Sequence, residues 1–293
     1  MAVPGDATLQ RWTLPDVHTS WTRGLGGHEP WSLAISPDAA WLAVGIGHEV
    51  VQLDPAGHEV ARAALVGEPR GLATLDVSRL VVAGFDGVAS LLDPASMRVV
   101  AHEQLGTPLH AACPGAGGEA FLGCGDGRVL AWRPRGSARV VTKHPQAVVA
   151  LATLADGSLA TASLAKSARV VDASSGARRR LYDELGAYPW CLAAHGTLLA
   201  IGVGKTIVVH DVASDTAAPR LLRAHLGIVS ALCWAPDGTL WSGGEEGHVM
   251  AWRGAPGDAR PHAAPALDVA AKGRVIAIGA TLDEVFVLRA RPR

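Results

Sequence analysis

Short apolar and alternating runs recur along the whole chain, separated by clusters of Gly, Pro and Asp. The stretch from His225 to Arg253 shows the pattern most clearly. Ile228 to Trp234 is apolar and β-rich, Pro236-Asp237-Gly238 is a turn, Thr239 to Ser242 resumes a strand, and a glycine-rich turn leads into His248 to Trp252. Runs of this length bounded by turn residues predict strands joined as hairpins. The strand end at Trp252-Arg253 then recurs, at Asp54, Asp93, Arg133, Asp172, Asp211, Arg253 and Arg289, with intervals of 39, 40, 39, 39, 42 and 36 residues. Each end closes a short strand: EVVQLD at 49, VASLLD at 88, RVLAWR at 128, SARVVD at 167, TIVVHD at 206, HVMAWR at 248 and EVFVLR at 284.

A beat close to the ~40–45 residues of one four-stranded unit predicts radial repetition. No helix-period segment interleaves with the strands, so a βαβ sheet is excluded, and a sandwich would not sustain the interval over seven copies. The expected fold is therefore all-β, a seven-bladed β-propeller of four-stranded antiparallel blades forming one domain over residues 1–293. Outer strands are expected at His58 to Ala63, Met97 to Val100, Ala138 to Thr142 and Ala177 to Leu181. After Arg289 the last unit has no room for one. Residues 9–22, LQRWTLPDVHTSWT, are read as its missing outer strand, closing the ring. Arg11-Trp12-Thr13-Leu14 also falls one 39-residue step before Val50 to Leu53, which leaves an inner position open to it.

Within the sixth unit, His225, Ser242, Glu246 and Trp252 stand 17, 4 and 6 residues apart. This spacing resembles the WD-repeat family of β-propellers. The resemblance implies that a loop His, a strand hydroxyl, a turn acid and a strand Trp form one structural hydrogen-bonded chain, with Glu246 in place of the usual Asp. Elsewhere the signature decays. The fourth unit keeps His144 and Thr161 but has Ala165 and Val171 for the acid and Trp; the third keeps Asp126 and Trp132 but has Leu122 for the hydroxyl. Leu53, Leu92, His210 and Leu288 stand at the Trp position of the first, second, fifth and seventh units. Apolar packing replaces the polar linkage there, and burying a Leu or Val contributes roughly 1.5–3 kcal/mol against ~1 kcal/mol for a lost hydrogen bond.

Composition narrows the function classes. At 293 residues and mean hydropathy +0.22 the chain can bury roughly three quarters of its unfolded surface. No apolar run approaches the ~18 residues of a transmembrane helix, and the first residues lack a signal peptide's basic start and apolar core, so no membrane association is expected and the location is read as cytoplasmic. The formal net charge of −1 removes the electrostatic argument for nucleic acid. Arginine outnumbers lysine 22 to 4, a bias attributed to a GC-rich bacterial genome. Cys113, Cys124, Cys191 and Cys233 form no CxxC pair and read as reduced thiols.

Catalytic and metal signatures are missing. His28, His144, His225 and His262 recur in entry loops and read as structural; His48, His102, His195 and His248 read as solvated. Asp268 is the one carboxylate in an apparent innermost strand, too few for a channel cage. Gly123-Cys124-Gly125-Asp126-Gly127 leads into a strand and therefore lacks the helix N-terminus a phosphate loop uses. Arg178-Arg179-Arg180, with Lys166 and Arg169, reads either as a basic edge or as a solvated outer strand. No cofactor or metal is expected.

The repeat also serves as a ruler for a binding surface. Ser230, at the start of an innermost strand, maps onto Trp31, Arg70, His110, Val149 and Tyr188, which are expected to ring one mouth of the channel. Residue type varies at this position, and Trp, Tyr and Arg are enriched in interface hot spots. Trp190, Phe85 and Glu245 are expected to extend the patch. The ring is read as the site for a protein or peptide partner, with aromatic plugging of the channel as the other reading. The WD-repeat resemblance implies a non-enzymatic interaction scaffold, possible within a multiprotein complex; the alternative is an enzyme or small-ligand binder using the channel mouth.

Overall fold

The computed structural model describes residues 7–13, 18–26, 28–253, 267–270, 275–280 and 284–289. They form seven four-stranded antiparallel sheets. Blade one consists of Pro30–Ile35, Leu42–Ile46, Glu49–Leu53 and Glu59–Ala64, and blades two to five repeat this order from innermost to outermost strand. Blade six contains Val229–Trp234, Leu240–Gly244, His248–Trp252 and Leu267–Ala270. The seven innermost strands touch their neighbours in turn, and Val275–Ala280 meets Pro30–Ile35 to complete the circle.

Burial explains the strand patterns. Second strands such as Leu42–Ile46, Ala120–Cys124, Leu159–Ser163 and Leu240–Gly244 are buried at every residue, because both faces of the blade pack on neighbouring blades. Outermost strands such as Arg98–Gln104 are largely exposed. The core is accordingly divided into seven clusters, each between two adjacent blades; Trp132, for example, packs with Leu91 of blade two, and Trp252 with Ile207 of blade five. Close approach of blades fixes some glycines: a Cβ on Gly71 would lie 2.6 Å from the Ala112 backbone nitrogen of the next blade.

Blade seven corrects the expectation of a single closing strand. Val275–Ala280 is innermost, Glu284–Arg289 second, Thr8–Thr13 third and His18–Gly24 outermost, so the N-terminal segment supplies two strands. Glu284–Arg289 is thus no counterpart of His248–Trp252. Its 36-residue interval matched a second strand to third strands, and Leu288 does not occupy the Trp position. Trp12 does: it pairs with Val285 as Trp252 pairs with Leu240. Arg289, 1% exposed, donates from Nε to Gln10 Oε1 at 3.0 Å and from Nη1 to Gly247 O at 2.6 Å, tying both chain ends to blade six. Burial pushes its pKa down to about 10. Trp21 and Arg11 both donate to Pro55 O, joining blade seven to blade one.

Asp268 also changes place. Leu267–Ala270 is the outermost strand of blade six, so Asp268 is far from the channel, whereas Asp76 ends the innermost strand of blade two. Residues 14–17 and His262 lie outside the described residues.

Candidate functional site

All seven innermost strands begin with a β-bulge, an extra residue opposite one on the second strand. The extra residues are Trp31, Arg70, His110, Val149, Trp190, Ser230 and Ile276. A bulge re-aims its side chain out of the sheet's alternation, which frees the position from the uniform core. Tyr188 is therefore displaced from the ring by two residues, and Trp190 takes the place the ruler gave it. The reason is local: the hairpins at His195 to Leu198 and at Val203 to Thr206 are each one residue shorter than their counterparts in blade six, so His210 follows Trp190 by 20 positions where Trp252 follows Ser230 by 22.

Around one side of the ring the side chains form a continuous stack. The Arg70 guanidinium lies 3.6 Å from the Trp31 ring centre and 4.7 Å from that of Phe85, and its Nε and Nη2 both donate to Glu68 Oε2, at 2.9 and 2.6 Å. Phe85 meets His110 edge-on at 5.5 Å. Burial, then the Arg70 charge, holds His110 below the usual imidazole range. Trp31 donates its indole N–H to Gly47 O at 3.3 Å. A second group stands on blades four and five, where Tyr188 meets Trp190 edge-on at 6.0 Å and Lys166 Nζ lies 5.6 Å from the Tyr188 ring centre.

Phe85, Tyr188 and Trp190 are 39%, 45% and 40% exposed, and they are the exposed aromatic side chains among the described residues. Glu245 occupies in blade six the turn position of Phe85 in blade two, on the same face. Glu68, Val66 and Leu226 are not singled out by the sequence, and Lys166, read there with the basic edge, stands at Tyr188 instead. Val66 and Leu226 are exposed apolar residues at one repeated loop position, following Leu65 and His225, and an apolar residue in a glycine loop was the available signal. Among the described residues, no group of three or more His, Cys, Asp and Glu is arranged to hold a metal.

The signature residues of blade six make one hydrogen-bonded chain. Trp252 Nε1 donates to Ser242 Oγ at 2.7 Å, Ser242 Oγ lies 2.7 Å from His225 Nε2, and His225 Nδ1 lies 2.5 Å from Glu246 Oε1. Glu246 Oε2 accepts from the Gly227 backbone at 3.0 Å. In blade four, His144 Nε2 lies 2.8 Å from Thr161 Oγ1 and the chain stops there. Trp132 donates instead to Glu103 Oε2 of blade two at 2.7 Å, and the buried Trp12 indole N–H has no partner among the described residues. His28 is not at the signature position: the Leu25 amide bonds Ala7 O as the His144 amide bonds Gly127 O, so Leu25 fills that place.

Other motifs are absorbed by the scaffold. Arg179 pairs with Asp156 and Asp172, and Arg180 with Asp215, so two of the three consecutive arginines are neutralised on the rim. Cys113, Cys124 and Cys191 are buried free thiols and Cys233 is partly buried; burial pushes Cys113 and Cys124 up to about 12. Among the described residues, no helix is long and apolar enough to cross a membrane.

Residues 218–253, which include the complete hydrogen-bonded chain of blade six, match the family model described as WD domain, G-beta repeat. No curated protein matches the chain.

Proposed function

We propose that the protein, a seven-bladed β-propeller whose sixth blade matches the WD-repeat model, is a cytoplasmic, non-enzymatic scaffold binding a protein or peptide partner at the bulge-ringed mouth, in keeping with a fold that commonly mediates protein–protein interaction. The observation that carries this reading is the gathering of Phe85, Tyr188 and Trp190, the exposed aromatic residues among those described, on that one face. Trp31, Arg70 and His110 extend the surface from the first ring group, and Glu245 adds a carboxylate. Aromatic and Arg side chains offer large contact area at low entropic cost, which is why they dominate binding hot spots. Arg70 is already stacked and ion-paired, so little of its ordering remains to be done on association.

Trp190→Ala and Arg70→Glu, made separately, are expected to weaken partner capture from host extract by roughly thirtyfold in at least one case, a hot-spot loss of about 2 kcal/mol. Melting should change little for Trp190→Ala, whose ring is already exposed. Undiminished capture by both variants, with loss in the outer-edge variant Arg98→Glu, would move the site to the rim.

A further inference from the structure

Blade four retains half of the blade-six hydrogen-bonded chain and surrounds the gap with positive charge. Gly227, Glu246 and Met250 of blade six correspond, 81 residues earlier, to Gln146, Ala165 and Arg169. Ala165 thus ends at Cβ where the Glu246 side chain reaches His225. His144 is 1% exposed, and its Nδ1 has no hydrogen-bond partner. Beside it, Arg169 Nη1 donates to Lys143 O at 2.9 Å, while the buried Arg169 Nε has no partner. The charge acting on His144 is that of Arg169. Two buried nitrogens of one blade therefore lack hydrogen-bond partners, and leaving buried polar atoms unpaired is destabilising.

We propose that blade four carries a carboxylate-binding site, in which His144 Nδ1–H and Arg169 Nε–H hold a carboxylate where Glu246 stands in blade six. A carboxylate bound there selects the tautomer in which the Thr161 hydroxyl turns from Arg169 O, 3.5 Å away, to donate to His144 Nε2, so that the neutral imidazole carries its proton on Nδ1, directed at the acceptor. The ligand is either a small free carboxylate or the Asp or Glu side chain of a partner protein. Access is from the mouth face, where Pro145, Gln146 and Lys166 are exposed. The site is separate from the bulge ring, and its failure would leave the capture tests at Trp190 and Arg70 unaffected.

The test follows the imidazole nitrogen–proton signals of the full chain during titration. The probes are sodium acetate, the blocked peptide acetyl-Gly-Glu-Gly-amide, and sodium chloride at matched ionic strength. Acetate is expected to shift the His144 signals saturably and chloride not at all. An equal or tighter response to the peptide assigns the site to a partner's acidic side chain; a response to acetate alone assigns it to a small free carboxylate. Arg169→Met should weaken binding about tenfold by removing a charge-assisted bond. Ala165→Glu should abolish the response by supplying the carboxylate from within, and Ala165→Gln, which fills the same space without charge, is the second blocking variant. Shifts that match chloride, or a saturable shift that survives both blocking variants, would overturn the proposal.

Discussion

Blades six and four are built on the same frame, yet they handle the same buried imidazole in opposite ways. In blade six the ring of His225 is bonded at both nitrogens and an indole closes the far end of the chain. In blade four His144 is equally buried but bonded at one nitrogen, with Val171 where the indole would be. Both sheets form with the same strand order. The polar chain is thus not what makes a blade; inter-blade apolar packing does that, and the chain adds to it where all of its members are present.

Removing the closing indole tests the comparison most severely. Trp252→Ala is expected to cost about 3–5 kcal/mol in chemical denaturation, against roughly 2 kcal/mol for Val171→Ala in blade four. Equal losses would mean that the hydrogen bond to Ser242 contributes nothing beyond volume.

Acid should act on blade four next. Burial, then Arg169, lowers the His144 pKa to about 4, whereas the unfolded imidazole titrates near 6.5. Between these values the unfolded chain binds the extra proton, so the His144 contribution is present above pH ~6.5 and is lost as the pH falls toward ~4. The loss amounts to on the order of 3 kcal/mol. Melting measured across this range in a buffer free of carboxylates should show a component that disappears in His144→Gln; an unchanged profile in that variant would assign the acid sensitivity elsewhere.

The smallest effect comes from making the two blades alike. Glu246→Ala leaves His225 Nδ1 and the Gly227 amide without their acceptor and should destabilise by about 1–3 kcal/mol. The reverse change, Ala165→Glu, should stabilise by ~1 kcal/mol if the added carboxylate meets His144 Nδ1. Destabilisation by Ala165→Glu would show that the turn at Lys166, whose φ of 56° stands where Gly247 has 93°, does not present the side chain correctly.

The fold was legible because third strands repeat at near-constant intervals with an apolar face that must be buried, and six of the seven strand ends fall where their periodicity places them. Blade seven was harder to read because its strands come from both ends of a linear chain. A ruler stepping along that chain placed Glu284–Arg289 in a third-strand position, although the true third strand, Thr8–Thr13, lies before the first unit. The ring residues were legible to the same degree. Trp31, Arg70 and His110 follow the beat, whereas in blade five the beat lands on Tyr188, two residues before the bulge at Trp190, because the turns at Gly196-Thr197 and Gly204-Lys205 each shorten the blade by one residue without altering its strand signature. Glu68, which holds Arg70, gives no pattern in sequence, since an acidic residue in a loop is ordinary until its partner is seen.

Pairing of Thr8–Thr13 with Glu284–Arg289 also orders events in time. The Gln10–Arg289 bond joins residues 279 positions apart, so one strand of the pair leaves the ribosome long before the other. Blades one to six can be laid down on one another as the chain emerges, as in other repeat arrays in which each unit contacts only its neighbours. The nascent disc nevertheless keeps two raw flanks, on blades one and six, until Val275–Ala280 and Glu284–Arg289 arrive. Ring closure is then the long-range, slow step, and once made it becomes a lock: no blade of the finished ring can peel away from an end, because the circle has none.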